Sequence, residues 1–172
     1  MLNKILVAID ESASSEWAFD TALAMAKSLK ASLLLVHVLD SWSSDSPKHP
    51  CALVDSFLVD EASSAQKEYE QRWEQFIDRY DTLLKQKQAD AEAAGVTTTY
   101  LQTHGIPEQK ICEIAKKNDI DLIVVGNRDR TNRSSSVSNY LTHHAPCSVT
   151  VVHPKAEDEA VSLSDLSQAV AV

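Results

Sequence analysis

Apolar runs of strand length alternate with amphipathic stretches of helical period along most of this chain. The first run, Leu2 to Ile9 (LNKILVAI), is apolar with β-branched residues and stops at DESASS, a cluster of side chains suited to starting a helix. Behind it Ala18, Ala22, Met25, Ala26 and Leu29 recur at helical spacing, with Glu16, Asp20, Lys27 and Lys30 placed for the solvent side. Leu33 to Leu39 (LLLVHVL) reads as a strand buried on both faces, which completes a βαβ unit. A longer polar helix, from about Glu61 to Ala94, carries Ala62, Ala65, Tyr69, Trp73, Phe76, Tyr80 and Leu83 in steps of three and four, the spacing of a core-facing stripe. Gly95 stands where a left-handed residue ends a helix, and Val96 to Thr103 (VTTTYLQT) supplies a β-branched strand. After HGIP a short helix turns Ile111, Ile114 and Ala115 inward, and Asp121 to Val125 forms a fourth strand. Ser136 to His144 is a last helix with Val137, Tyr140 and Leu141 on one face, and Ser148 to Val152 is a fifth strand. This alternation predicts an α/β fold: a parallel sheet with right-handed crossovers, covered by helices on both faces.

Two segments stand apart from the pattern. Residues 40–50 (DSWSSDSPKHP) are rich in Ser and Pro and read as a disordered connection, with a lid over a binding site as the alternative. Residues 154–172 form an acidic tail in which Val161, Leu163, Leu166 and Val170 allow a weak amphipathic helix, but whose polarity predicts disorder. The ordered domain is therefore expected to span residues 1–153.

Composition narrows the classes of function. Sixteen basic and twenty-five acidic side chains give a formal charge of −9, which argues against nucleic acid or an anionic membrane as partner. No signal segment or run of membrane-span length occurs, so a soluble cytoplasmic protein is expected. Cys51, Cys112 and Cys147 are odd in number and far apart, which predicts reduced, mostly buried thiols.

In an open α/β sheet ligands bind beyond the carboxyl ends of the strands. Three segments fall there: Ala8-Ile9-Asp10, Val38-Leu39 and Gly126-Asn127-Arg128. Asp10 is suited either to accept hydrogen bonds from a ribose or adenine group or to cap the following helix. Gly126 would let a backbone approach a ligand closely, and the amides near Ser135 and Ser136 would face an anion from a helix start. Arg128, Arg130 and Arg133 crowd the same segment, which reads equally as a phosphate cradle or a solvated turn. His143, His144 and Cys147 are set aside as metal ligands in favour of a polar helix end, and no G-x-S-x-G elbow or evident general base points to catalysis. His37, inside an apolar strand, is expected to be a core histidine with its hydrogen bonds satisfied.

Four stretches taken together carry a resemblance: "ILVAIDES", "LLLVHV", "HGIPEQKICEIAKKNDIDLIVVGNR" and "SVSNYLTHHAPCSVTVV". The chain resembles the universal stress protein family across roughly residues 2 to 152. The resemblance implies a Rossmann-like sheet of strand order 3-2-1-4-5, a stress-response role as sensor or regulator, and a homodimer joined through residues 148–152. In one branch of the family it also implies binding of ATP or AMP, with Mg²⁺ accompanying ATP. Members that bind ATP resemble G-x-x-G, about nine residues, then G-[ST]. Here the first glycine is Gly126, Asp129 replaces the second, Ser135 stands ahead of Ser136 in the final pair, and the connection between them is shorter. By position Asp10 resembles the family's nucleoside-binding aspartate, Ala8 and Val38 its adenine-pocket backbone, and Ser136 its phosphate-binding hydroxyl. The implied binding set is Ala8, Asp10, Val38, Gly126, Arg128, Asp129, Ser135, Ser136, Val137 and Ser138, with the adenine half intact and the phosphate half altered. The alternative is a nucleotide-free dimer acting through protein interactions; at most slow ATP hydrolysis is expected.

Overall fold

A computed structural model of the chain describes residues 2–49, 59–127 and 137–153, with residues 59–63 described by backbone alone. The expected acidic tail, Arg128, Asp129, Ser135, Ser136, Cys51 and Ala62 lie outside these residues or have no described side chain. Along the chain run β1 (Lys4–Ala8), α1 (Ala13–Leu29), β2 (Ser32–Leu39), α2 (Val59–Ala93), β3 (Thr98–His104), α3 (Pro107–Lys117), β4 (Leu122–Gly126), α4 (Val137–His144) and β5 (Ser148–Val152). Every strand pair is parallel and the sheet order is β3-β2-β1-β4-β5, the order implied by the resemblance.

The alternation of side chains along a strand divides the core in two. Ile5 and Val7 of β1, Leu33 and Leu35 of β2, and Leu122 and Val124 of β4 face α1 and α2. Their neighbours Leu6, Val36, Val38, Ile123 and Val125 face α3 and α4. Both faces are covered, so the central strands are apolar at nearly every position, as their unbroken runs require. On the first face α1 presents Ala18, Ala22 and Ala26, all fully buried, and these small side chains let the helix lie close to the sheet. On the second face Ile111, Ile114 and Ala115 of α3 meet Leu141 of α4. Cys112 and Cys147 are free thiols packed at the margin of this second core, and burial raises the pKa of both.

The helix ends show local chemistry at work. Ser12, not Asp10, is the N-cap of α1, and its side chain accepts from the Ser15 amide at 3.2 Å. Gly95 closes α2 at φ +84°, and Val96 donates back to Ala91 O at 3.0 Å. Leu29, expected inside, is 45% exposed. The reason is length: α1 has 17 residues and spans about 26 Å, whereas the 5 residues of β1 span about 17 Å, so the last turn overruns the sheet. A larger mismatch concerns α2, whose 35 residues span about 52 Å. Trp73 already stands beside His104, the last residue of β3, and Gln102 donates to Ile77 O. The turns before Trp73 therefore extend beyond the carboxyl edge of the sheet.

Candidate functional site

A cavity of about 580 Å³ opens at that carboxyl edge, where β1, β2 and β4 end and their connections diverge. Of the residues expected to bind, it is lined by Ala8, Asp10, Val38, Gly126, Val137 and Ser138. The strand ends bring the first four together from positions more than a hundred residues apart, and the first turn of α4 adds the last two. Arg128, Asp129, Ser135 and Ser136 fall outside the described residues.

The β1–α1 connection is held by a tight polar web. Asp10 Oδ1 accepts from the Ser12 amide at 2.7 Å and from the Ser12 hydroxyl, while the Asp10 amide donates to Ser15 Oγ at 2.9 Å. Asp10 thus does not cap α1 itself; it braces the serine that does. The other expectation for this region needs revision at Gly126. A Cβ there would lie 2.2 Å from Ser14 O, so the space that glycine provides is first taken by the backbone of α1. The missing side chain is required by helix–sheet contact, with approach of a ligand a separate matter.

The β2–α2 connection was expected to be a disordered link, and its described part is folded. Asp40 Oδ1 accepts from the Trp42 amide at 2.9 Å, and Ser46 Oγ donates to the carbonyls of Ser41 and Ser43, each at 2.9 Å. Asp45 receives the Tyr80 hydroxyl at 2.9 Å, pinning the segment to α2. Arg79 lies 3.9 Å from Asp45 and 2.9 Å from Glu11, linking both connections across the helix, and its guanidinium stacks over Phe76 and Tyr80. Short serine and aspartate side chains that compete with secondary structure elsewhere here build turns. Trp42, 89% exposed, stands on the cavity rim.

Beneath that segment lies His37, which also lines the cavity. Its ring is stacked on Tyr80, centroids 3.6 Å apart and planes 9° apart, and its Nδ1 lies 2.7 Å from Ile9 O. A carbonyl only accepts, so Nδ1 carries the proton. Burial lowers the His37 pKa below 6.5, against the opposing effects of the Ile9 bond and of Asp10, Asp45 and Glu11, which keeps the ring neutral. Nε2 is then an acceptor, and it is buried with no hydrogen-bond partner among the described residues. The expectation of a fully satisfied core histidine is corrected on this point: one nitrogen is satisfied and the other is not. Burial and the Asp45 carboxylate push the Tyr80 phenol up to about 12.

The remaining polar candidates sit elsewhere. His143 and His144 are exposed, and His144 stacks on Tyr140 with its Nδ1 3.0 Å from Tyr140 O. They end α4, at the opposite end of the helix from the cavity.

A family description of the universal stress proteins matches residues 1–153 of the chain. The chain belongs to the universal stress protein family. Among curated relatives, a putative universal stress protein of Staphylococcus haemolyticus is 32% identical over 154 residues, covering 86% of this chain and 82% of its own. Among solved structures, universal stress protein UspA from Lactobacillus plantarum superposes with a TM-score of 0.66 at 24% identity, over 88% of this chain and 97% of that one. A universal stress protein family member from Arabidopsis thaliana, solved with AMP bound, gives a TM-score of 0.59 at 21% identity, over 91% of this chain and 94% of that one. At these identities the structural likenesses bear on the fold of this universal stress protein, and they agree with its strand order.

Proposed function

We propose that this universal stress protein binds an adenine nucleotide, AMP or ATP, in the cavity at the ends of β1, β2 and β4, and serves as a cytoplasmic sensor or regulator. The observation that carries this reading is the convergence of Ala8, Asp10, Val38, Gly126, Val137 and Ser138 on one cavity. Its volume of about 580 Å³ falls within the range of about 300–1,000 Å³ usual for small-molecule sites. The backbone at Ala8 and Val38 suits the base and Asp10 suits the ribose. The first turn of α4 directs amide dipoles toward the side where phosphates would lie. The AMP bound to the Arabidopsis relative supports the ligand class.

The same reading includes a homodimer through β5. Among the described residues β5 pairs with β4 alone, and Val149, Val151 and Val152 remain half-buried, which suits pairing with a second copy. No helix among the described residues is long and apolar enough to cross a membrane.

Isothermal calorimetry of the pure protein with AMP, ATP and adenosine tests the nucleotide reading. Saturable binding of one nucleotide per chain is the expected result. Absence of heat with all three at millimolar concentration would overturn it and favour a protein acting through interactions alone.

A further inference from the structure

His37, in the cavity wall, carries an acceptor whose partner is not found among the described residues. His37 Nδ1 is committed to Ile9 O at 2.7 Å, and a half-turn of the ring, though it would keep the flat stack on Tyr80, would put Cδ2 in place of Nδ1 and lose that bond. Its Nε2 is buried and unpartnered among the described residues, on a side chain only 7% exposed that lines the cavity. Buried polar atoms in folded proteins are almost always hydrogen-bonded, so an orphan beside a cavity marks where a ligand atom would be held. Because the ring is neutral and Nδ1 holds the proton, that atom must be a donor.

We propose that His37 Nε2 is a specificity determinant of this site, accepting a hydrogen bond from an N–H or O–H group of the bound nucleotide. This rests on the nucleotide reading above and extends it to a residue that the binding set did not include. An adenine nucleotide offers two such donors, the exocyclic amine of the base and the hydroxyls of the ribose. Both belong to one chemistry, a neutral donor meeting an imidazole acceptor. A ligand presenting a carbonyl oxygen at that point would set acceptor against acceptor and bind worse.

The arrangement around His37 makes the contact selective. Stacking on Tyr80 fixes the ring plane, and Asp45 fixes Tyr80, so the acceptor is held in place before any ligand arrives. A pre-positioned acceptor loses little freedom on binding, which favours a ligand that matches it.

The test pairs one variant with two ligand analogues. Asparagine places its amide nitrogen near the position of Nδ1, so His37→Asn retains a donor for Ile9 O while deleting Nε2. Calorimetry is run on wild type and variant with AMP, inosine monophosphate, which carries a carbonyl in place of the amine, and 2′-deoxy-AMP. In wild type, one analogue is expected to bind about tenfold more weakly than AMP, and in His37→Asn that difference should vanish because AMP itself weakens about tenfold. Loss confined to inosine monophosphate assigns the amine; loss confined to the deoxy ligand assigns the ribose. If AMP binds both proteins equally, or both analogues keep their wild-type penalties in the variant, the proposal is overturned while the nucleotide reading stands. If AMP fails to bind wild type, both readings fall together. Should His37→Asn not fold, nitrogen NMR of the wild type decides. The unprotonated His37 nitrogen should move upfield when AMP is added, and an unmoved resonance at saturating AMP overturns the proposal.

Discussion

Ser14 of α1 and Gly126 of β4 touch so closely that the carbonyl oxygen of one occupies the place of a side chain on the other, with 2.2 Å separating it from an ideal Cβ. Because the nearest obstacles are backbone atoms of a helix start, Gly126→Ala must displace the first turn of α1. The expected cost is about 1–3 kcal/mol, as for overpacking a core. Urea denaturation should show a lower midpoint with an unchanged slope. A midpoint equal to wild type would mean that α1 moves aside freely.

Asp10→Ala should weaken AMP and adenosine by similar factors, about 1–3 kcal/mol for a charged hydrogen bond lost. Because Asp10 also braces Ser12, stability should fall too, and Ser12→Ala separates the effects. Loss of that cap should cost about 1 kcal/mol of stability and, because Ser12 lines the cavity and bonds the Asp10 carboxylate, weaken nucleotide binding less than Asp10→Ala does. Calorimetry and thermal melting on both variants check this. Equal AMP affinity in Asp10→Ala and wild type would leave Asp10 a purely structural brace.

The pH dependence of stability should carry the mark of His37. Its folded pKa lies below 6.5, so as pH falls through that value the unfolded chain takes up a proton that the folded protein resists. The contribution is fully present above 6.5 and declines toward acid, with a slope of at most about 1.4 kcal/mol per pH unit for a single proton. Denaturation midpoints measured from neutral pH downward should fall in wild type and fall less steeply in His37→Asn. Parallel profiles for the two proteins would contradict the burial of a neutral ring.

Sedimentation equilibrium should find a dimer in wild type and a monomer in Val151→Lys. The substitution puts a charge on the half-buried face of β5, at the edge where a second sheet would pair. A monomeric wild type would refute the dimer.

Much of the scaffold was legible because burial on both faces leaves so plain a trace. The runs LNKILVAI, LLLVHVL and DLIVV mark the three central strands, and Gly95 marks the end of α2. The strand ends in turn place Ala8, Asp10, Val38 and Gly126 at one edge, a position that follows from the parallel sheet itself. What stayed hidden depended on contacts between distant residues. Nothing in LLLVHVL tells which nitrogen of His37 finds a partner, since that is decided by Ile9 O and by Tyr80 more than forty residues later. Composition made DSWSSDSPKHP look unstructured because the same serines and aspartates serve loops and turns alike. The bond from Tyr80 to Asp45 that anchors the segment has no local signature. Leu29 kept the helical period yet lost its partner surface, because periodicity reports a face and says nothing of where the sheet stops.

That α2 outruns its sheet gives one continuous helix two different resistances to opening. From Phe76 to Ala91 its inward residues are locked into the core, and their amides should exchange with solvent only when the whole domain unfolds. From Ser64 to Arg72 most side chains are exposed, and pairs such as Gln66 with Glu70 and Arg72 with Glu68 join one turn to the next along the helix surface. Such pairs contribute only about 0.2–0.5 kcal/mol each. The projecting turns should therefore open on their own, so that a protease nicks the chain within residues 64–72 while the pieces on either side stay held together by the sheet.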